Sequence, residues 1–487
     1  MIKIAFVASE AIPYAKTGGL ADVAGTLPKV LEKLGCEVKL FIPKYFTIDE
    51  SKFNLKYNWN IGEIPIMVAG HIRSVHVLQS KLPGSNVEVN FIDCPHYFHR
   101  AHFYTNDIDE DERFILFSKG VIEALQHFNW KPDIIHCNDW QTGLIPLLLK
   151  DNYSWDNLFK NTSTVFTIHN IGYQGKFSKE SLIKAEINER YFYPMGPVEF
   201  YNDVSFMKAG ISFADIITTV SHTYAKEILT PDYGAGMENI LLQRKDDLYG
   251  IINGVDYTMW NPETDEQIPF NYTLNSLSEK TKNKEYLLKQ FGMPFKKETP
   301  LIGIVSRIVE QKGFDIFAEV INSLLNLNAQ WIFLGSGEDK FEDLIRWLVN
   351  HYPEKVGAHI MFSDILSHLI EAGSDMFLMP SRYEPCGLNQ IYSLKYGTVP
   401  IVRNTGGLAD TVRDWHYSEL SYDNRGTGFS FDSFTGNALL DTVKRAIKTF
   451  GDKTTWKRIQ TNGMNKNFSW EPSAQEYIKL YKYVIGK

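Results

Sequence analysis

The sequence is poor in the features that commit a chain to a membrane, an extracellular scaffold or a nucleic acid. No apolar run is long enough to span a bilayer. The opening residues, MIKIAFVASE, lack the long apolar region and cleavage site of a secretory signal, so the expected compartment is the cytoplasm. Cysteine is scarce. Cys36, Cys94, Cys137 and Cys386 are scattered without metal-ligand spacing and support neither a disulfide framework nor a zinc site. Positive charge is not in excess. A formal net charge of −8 argues against nucleic acid or an anionic membrane as the partner and leaves a neutral sugar polymer open. Two phosphate signatures are missing as well: there is no GxxxxGK[ST], and no GxGxxG follows the first strand. An ATPase or a simple dehydrogenase is therefore disfavoured.

What is present is a repeated strand–helix grammar. A chain of 487 residues exceeds one ordinary core, so two domains are expected. IKIAFVAS reads as a buried strand. Leu20, Val23, Ala24, Leu27, Val30, Leu31 and Leu34 then recur at helical spacing, interrupted by Pro28 and stopped at Gly35, and EVKLFIP follows as a second strand. This βαβ unit implies a parallel sheet. Further strands are expected in DIIHCND, STVFTIHN, DIITTVSH and LYGIING. After Pro300 the series restarts with LIGIVSR, WIFLGSG, HIMF, DMFLMPS and VPIVRN, with helices near 313–327 and 387–396. A polar, weakly periodic stretch after residue 255 reads as a linker and entry helix, and residues 472–487 have helical spacing. The fold class expected is α/β, with two Rossmann-like doubly wound domains.

One hexapeptide, TGGLAD, occurs twice, at residues 17–22 and 405–410. Chance repetition in such a chain is roughly a one-in-several-hundred event. Each copy follows an expected strand and opens an expected helix, where a Gly-Gly pair admits close backbone approach and helix N–H groups favour an anion. A plain glycine turn is the competing explanation for either copy alone.

Polar residues gather at the expected strand ends, where open α/β sheets bind ligands. They are Lys16, Asp139, His169 and Asn170 in the first half, and Arg307, Lys312, Glu384, Gly406 and Gly407 in the second. His169 alone reads equally as a core or capping histidine, and Arg307 with Lys312 as a solvated pair. Together, two cations and two helix starts suit a diphosphate, and a carboxylate and a histidine suit hydroxyl recognition. The acidic run DIDEDE (107–112) reads as a solvated loop rather than a metal site.

KTGGLADVAGTLPKVL, HCNDWQTGLIP, TIHNIGYQG, INGVDYTMWNP, SRIVEQKGFDI, MPSRYEPCGLNQIYSLKYGTVPIVRNTGGLADTV and GTGFSF, in that order, resemble bacterial glycogen synthases and plant starch synthases over nearly the whole chain. The resemblance implies a GT-B fold, two Rossmann-like domains facing across a deep cleft. It places an acceptor-side domain at 1–255, a nucleotide-sugar domain at 256–468, and a terminal helix at 469–487 that crosses back to the first domain. The implied reaction is retaining transfer of glucose from ADP-glucose to the non-reducing 4-hydroxyl of an α-1,4-glucan such as glycogen. By the same resemblance Lys16, Gly18, Gly19 and Asp22 contact the nucleotide sugar, and Arg307 and Lys312 neutralise the ADP leaving group. Glu384 binds donor hydroxyls, with backbone contacts from Cys386, Gly387 and Leu388. His169 lies near the anomeric carbon, Asp139 on the acceptor side, and Asn253 against the sugar. Phe362 is the aromatic facing adenine, and Thr405, Gly406 and Gly407 complete the diphosphate pocket. No metal and no other cofactor is expected. Gln141 stands where the family usually has histidine, and His99 where an acidic residue is common. A transferase using UDP-glucose or a small acceptor, or a non-catalytic glucan-binding relative, are the alternatives.

Overall fold

The computed structural model describes residues 1–420 and 423–486; residues 421, 422 and Lys487, which fall in the expected second domain and terminal helix, lie outside them. The chain divides into two compact units. Met1–Gly254 with Trp470–Lys487 form one, and Val255–Ser469 the other.

The first unit is built on β1 (Lys3–Val7), α1 (Gly19–Lys33), β2 (Glu37–Pro43), β3 (His71–Lys81), β4 (Glu88–Asp93), α2 (Glu110–His127), β5 (Ile134–Asn138), β6 (Ser163–Ile168), β7 (Ile216–Thr219) and β8 (Leu248–Gly250). The strand order is β8-β7-β6-β5-β1-β2-β4-β3. Neighbours from β8 through β4 pair in parallel, and β3 joins antiparallel. Ile4 pairs with Ile134 and Val7 with Cys137, so β1 and β5 end at the same level. Their apolar runs are buried along their whole length, as a sheet covered on both faces requires. Pro28 sits inside α1 without ending it; the helix runs on to Lys33, and Gly35 at φ +92° turns the chain away.

The second unit carries β9 (Leu301–Val305), β10 (Gln330–Gly335), β11 (Val356–Ile360), β12 (Met376–Met379), α3 (Asn389–Lys395), β13 (Val399–Arg403), α4 (Gly406–Thr411) and β14 (Phe429–Phe431). All are parallel in the order β11-β10-β9-β12-β13-β14. Phe317, Trp331 and Phe333 stack edge-on in a core that joins these strands to the helices covering them.

The terminal helix, α5 (Trp470–Ile485), belongs to the first unit. Tyr477 and Tyr481 are fully buried there. The Tyr481 hydroxyl meets His136 Nδ1 on β5 at 2.7 Å, and Ser473 Oγ donates to Ile252 O at 2.6 Å. The four cysteines are buried and unbridged.

Three expectations change. The helix near 313–327 is two, Phe314–Glu319 and Ile321–Leu325, because Val320 leaves helical geometry. The strand placed in HIMF begins at Val356 and ends at Ile360, short of Phe362. The DIDEDE run is a solvated loop only in its first three residues, 107–109. Glu110 and Asp111 open α2 and are buried, Glu110 against Arg113 and Thr105, and Asp111 against Ser181 and Lys184. Acidic residues suit a helix N-terminus, and these have cationic partners, one of them more than seventy positions away.

Candidate active site

Each sheet reverses its winding at one place, where neighbouring strands send their connections in opposite directions. Such a place leaves a crevice beyond the strand ends. In the first unit it lies between β1 and β5, in the second between β9 and β12.

In the first unit, Asp139 directly follows β5. Its backbone stands at φ +56°, ψ 179°, a conformation costly for a residue with a side chain. The carboxylate is held by the next strand's end: Asp139 Oδ1 accepts from His169 N at 2.7 Å and Asn170 N at 3.4 Å. Burial nevertheless pushes the Asp139 carboxyl up to about 7, against those two bonds. His169 follows β6, and burial pushes it down to about 3, so it is neutral at pH 7. Asn138 donates its amide N–H to Val7 O at 2.9 Å, which leaves its oxygen to accept from His169 Nε2 at 2.9 Å. The hydrogen of His169 is therefore on Nε2, and Nδ1 keeps its lone pair for a donor hydroxyl. Asn253, beyond β8, is buried with an Oδ1 that has no partner among the described residues. Gln141 is buried too, its Oε1 likewise unpartnered there. His99 Nε2 lies 3.5 Å from Asp93 Oδ1 at the end of β4.

The Lys16 turn fills the other side of this reversal. Lys16 Nζ pairs with Asp22 Oδ1 at 2.8 Å, and Lys16 is exposed. A Cβ added to Gly19 would meet nothing within 4 Å, and one on Gly18 only Glu10 Oε1 at 3.9 Å. Among the described residues, no side chain or backbone fills the space over Gly19. Glu10, which sequence reasoning missed, lies under the turn, and burial pushes its carboxyl up to about 7.

In the second unit, Arg307 and Lys312 occupy the loop after β9, and Glu384 the loop after β12. Lys312 Nζ donates to Glu384 Oε2 at 2.6 Å, and Ser381 Oγ donates to the same oxygen at 3.0 Å. Gly313 makes this pair possible. It stands at φ +82°, and a Cβ there would lie 2.1 Å from Pro380 O, so the two loops touch backbone to backbone. Glu384 is buried and half of an ion pair, an arrangement that orients its carboxylate. Exposed Arg307 is braced by Gln311, its Nη2 donating to Gln311 Oε1 at 2.9 Å. Phe362 is 78% exposed, a bare ring just past β11.

The second TGGLAD differs from the first. Gly407 N–H donates to Glu384 O at 3.1 Å and Pro385 O at 3.2 Å, so it is not available to a phosphate as expected. Added Cβ atoms would lie 1.9 Å from Glu384 O at Gly406 and 2.1 Å from Cys386 O at Gly407. The six residues of α4 are also too few for a strong helix-end field. These glycines let β13's exit pack against the Glu384–Gly387 loop, where Gln390 Nε2 donates to the carbonyls of Cys386 and Gly387, both at 3.0 Å. Leu388 is the residue from which α3 starts, and Thr405 caps α4 from a fully buried position. The structure thus brings Arg307, Lys312, Glu384, Cys386, Gly387, Leu388, Thr405, Gly406 and Gly407 to one end of the second sheet. Lys16, Gly18, Gly19, Asp22, Asp139, His169 and Asn253 stand at one end of the first. No group of three or more His, Cys, Asp or Glu that could hold a metal occurs among the described residues. No helix among them is long and apolar enough to cross a membrane.

A family model for the starch synthase catalytic domain matches residues 3–243, and one for glycosyl transferases group 1 matches residues 288–462. The glycogen synthase of Desulforudis audaxviator (strain MP104C) is 43% identical, covering 100% of this chain and 97% of that one. The glycogen synthase of Thermotoga maritima is also 43% identical, covering 100% and 99%. Among solved structures, the catalytic domain of starch synthase IV from Arabidopsis thaliana, bound to ADP and acarbose, superposes with a TM-score of 0.92 at 32% identity over 100% of both chains. A sucrose-phosphate synthase from Thermosynechococcus elongatus, at 17% identity and a TM-score of 0.59 over 100% of both chains, shares the fold alone. The chain belongs to the glycogen synthase and starch synthase family, glycosyltransferases of the GT-B fold.

Proposed function

We propose that this glycosyltransferase elongates glycogen with glucose taken from ADP-glucose, adding it to the non-reducing 4-hydroxyl of an α-1,4-glucan with retention of configuration. The observation that carries the reading is the Lys312–Glu384 pair, held at the sheet reversal of the second unit beside Arg307. A departing nucleoside diphosphate develops negative charge, and fixed cations stabilise it without reorganising. Lys312 spends one donor on Glu384 and, as an ammonium, has three. Glu384, oriented by that contact, accepts hydrogen bonds from donor-sugar hydroxyls. Phe362 offers a flat apolar face to the adenine.

In the first unit, Lys16 and the open backbone at Gly18 and Gly19 suit the phosphates of the donor. Asp22 keeps Lys16 in place. The lone pair on His169 Nδ1 suits a sugar hydroxyl near the reacting carbon, and Asn253 Oδ1 supplies a further acceptor. Asp139, on a strained backbone, is set for the acceptor glucan. The cations carry the electrostatic role that a metal takes in other transferases, so turnover needs no divalent ion, and the protein works in the cytoplasm.

The experiment is incorporation of labelled glucose into glycogen from ADP-glucose and UDP-glucose in parallel, each with and without EDTA. Strong, EDTA-resistant incorporation from ADP-glucose supports the reading. Preference for UDP-glucose overturns the donor, and loss with EDTA overturns the metal-free mechanism. Glucan binding without incorporation from either donor overturns the enzyme itself in favour of a binding protein.

A further inference from the structure

The turn bearing Lys16 is anchored from beneath by a carboxylate with no role in the proposed reaction. β1 ends at Val7, and residues 8–18 form a loop before α1 opens at Gly19. The loop is pressed onto α1: Ile12 N donates to Ala21 O at 3.0 Å, and a Cβ on Gly25 would lie 2.6 Å from Ile12 O. Inside it Glu10 is only 3% exposed. Glu10 Oε2 accepts from Thr17 N at 2.5 Å and from Thr17 Oγ at 2.8 Å. Lys16 is tied on its outer side to Asp22. Lys16 and Thr17 are thus each held by a carboxylate, and space remains over Gly19.

We infer that Glu10 is a positioning residue for donor binding: its carboxylate sets Thr17 so that Lys16 before it and the Gly18–Gly19 backbone after it meet the nucleotide sugar already in place. This rests on the reading of the Lys16 turn as a donor contact. A carboxylate suits the task because bonds to an ionised acceptor are the stronger ones, and here Oε2 alone takes both bonds from Thr17. A glutamine keeps one acceptor oxygen but not the charge that strengthens both bonds, and a preorganised loop would become one that must be ordered on binding.

Titration supports the geometry. Burial raises Glu10 to about 7, opposed by its bonds from Thr17, and Asp22 raises it further. The other titratable groups facing it are Asp139 beyond β5, Tyr45 beyond β2 and Tyr104 ahead of α2. As pH falls through about 7, Glu10 gains a proton and loses the charge that strengthens both Thr17 bonds, so donor affinity weakens. Asp139 titrates in the same range, so the wild-type profile alone does not assign the effect.

The test is steady-state kinetics on the full chain with glycogen and whichever of the two nucleotide-glucoses supports turnover, for wild type, Glu10→Gln, Thr17→Val and Lys16→Ala. Glu10→Gln and Lys16→Ala should each raise donor KM about tenfold or more, with glycogen KM within about twofold. Thr17→Val, which keeps the N–H and loses the hydroxyl, should raise it by less. Between about pH 6 and 8 the wild-type donor KM should fall as pH rises, and that of Glu10→Gln should stay flat. A raised donor KM in Lys16→Ala with a wild-type value in Glu10→Gln overturns the role of Glu10. Unchanged values in both remove the donor-loop reading and this inference with it. If Glu10→Gln does not fold, an unchanged donor KM in Thr17→Val overturns the proposal.

Discussion

At the scale of single residues, the decisive feature of the second unit is that two groups suited to opposite ends of a sugar nucleotide are bonded to each other. Lys312 and Glu384 cannot be altered independently. Glu384→Ala should lower kcat by about 10²-fold or more, as the loss of a principal transition-state contact does. Lys312→Ala should also lower kcat, partly by leaving a buried carboxylate unpaired, while glucan affinity holds. The double variant should then be little worse than Glu384→Ala alone; a double-mutant cycle on kcat reads this, and simple additivity would contradict the pairing. The polar residues at the strand ends were legible because apolar runs stop abruptly before them. Their pairing was not, because it depends on Gly313 touching Pro380 across 67 positions of sequence. Glu10 was missed for a similar reason: beside Ala11 and Ile12 it looks like the tail of a strand, and its partner Thr17 is reached only when the loop doubles back.

At the scale of elements, one hexapeptide does two jobs. Over the first copy there is room; under the second there is a carbonyl within 2.1 Å of either missing Cβ. Gly19→Ala should leave the thermal unfolding midpoint near wild type while raising donor KM. Gly407→Ala should cost about 2 kcal/mol or more through forced backbone movement, read as a lowered midpoint or lost soluble yield. Equal stability for the two variants would refute the distinction. Most strands and α1 could be read from periodicity, since a buried parallel strand is one continuous apolar run. β3, whose burial follows no regular alternation and whose ends are exposed, and the start of α2, where Asp111 is neutralised from a distant helix, could not.

At the scale of the whole molecule, the last turns of the chain complete the first unit. Tyr481 closes a buried chain of hydrogen bonds with His136 and Thr167, so Tyr481→Phe should cost about 1–2 kcal/mol by leaving His136 Nδ1 without its partner. Burial pushes His136 down to about 3 from an ordinary 6.5. Between those values the unfolded chain binds a proton that the folded chain refuses, so this residue makes stability rise with pH across that window and fall as the window is crossed toward acid. Glu10 and Asp139, raised to about 7, act in the opposite sense between their ordinary values and 7. The measurement is therefore a difference: the slope of unfolding midpoint against pH between about 3 and 6.5 should be less positive, or more negative, in His136→Asn than in wild type. The second unit has its own closure. Val255 N donates to Phe468 O at 2.8 Å, and Val255 pairs with Ser469, so the ends of this unit lie side by side. Arg307, Lys312, Phe362 and Glu384 are consequently encoded in one uninterrupted stretch with adjoining ends. Two recombination joints, at 254/255 and 469/470, would exchange that stretch between homologues as a cassette, leaving every hydrogen bond of α5 to the first unit unaltered.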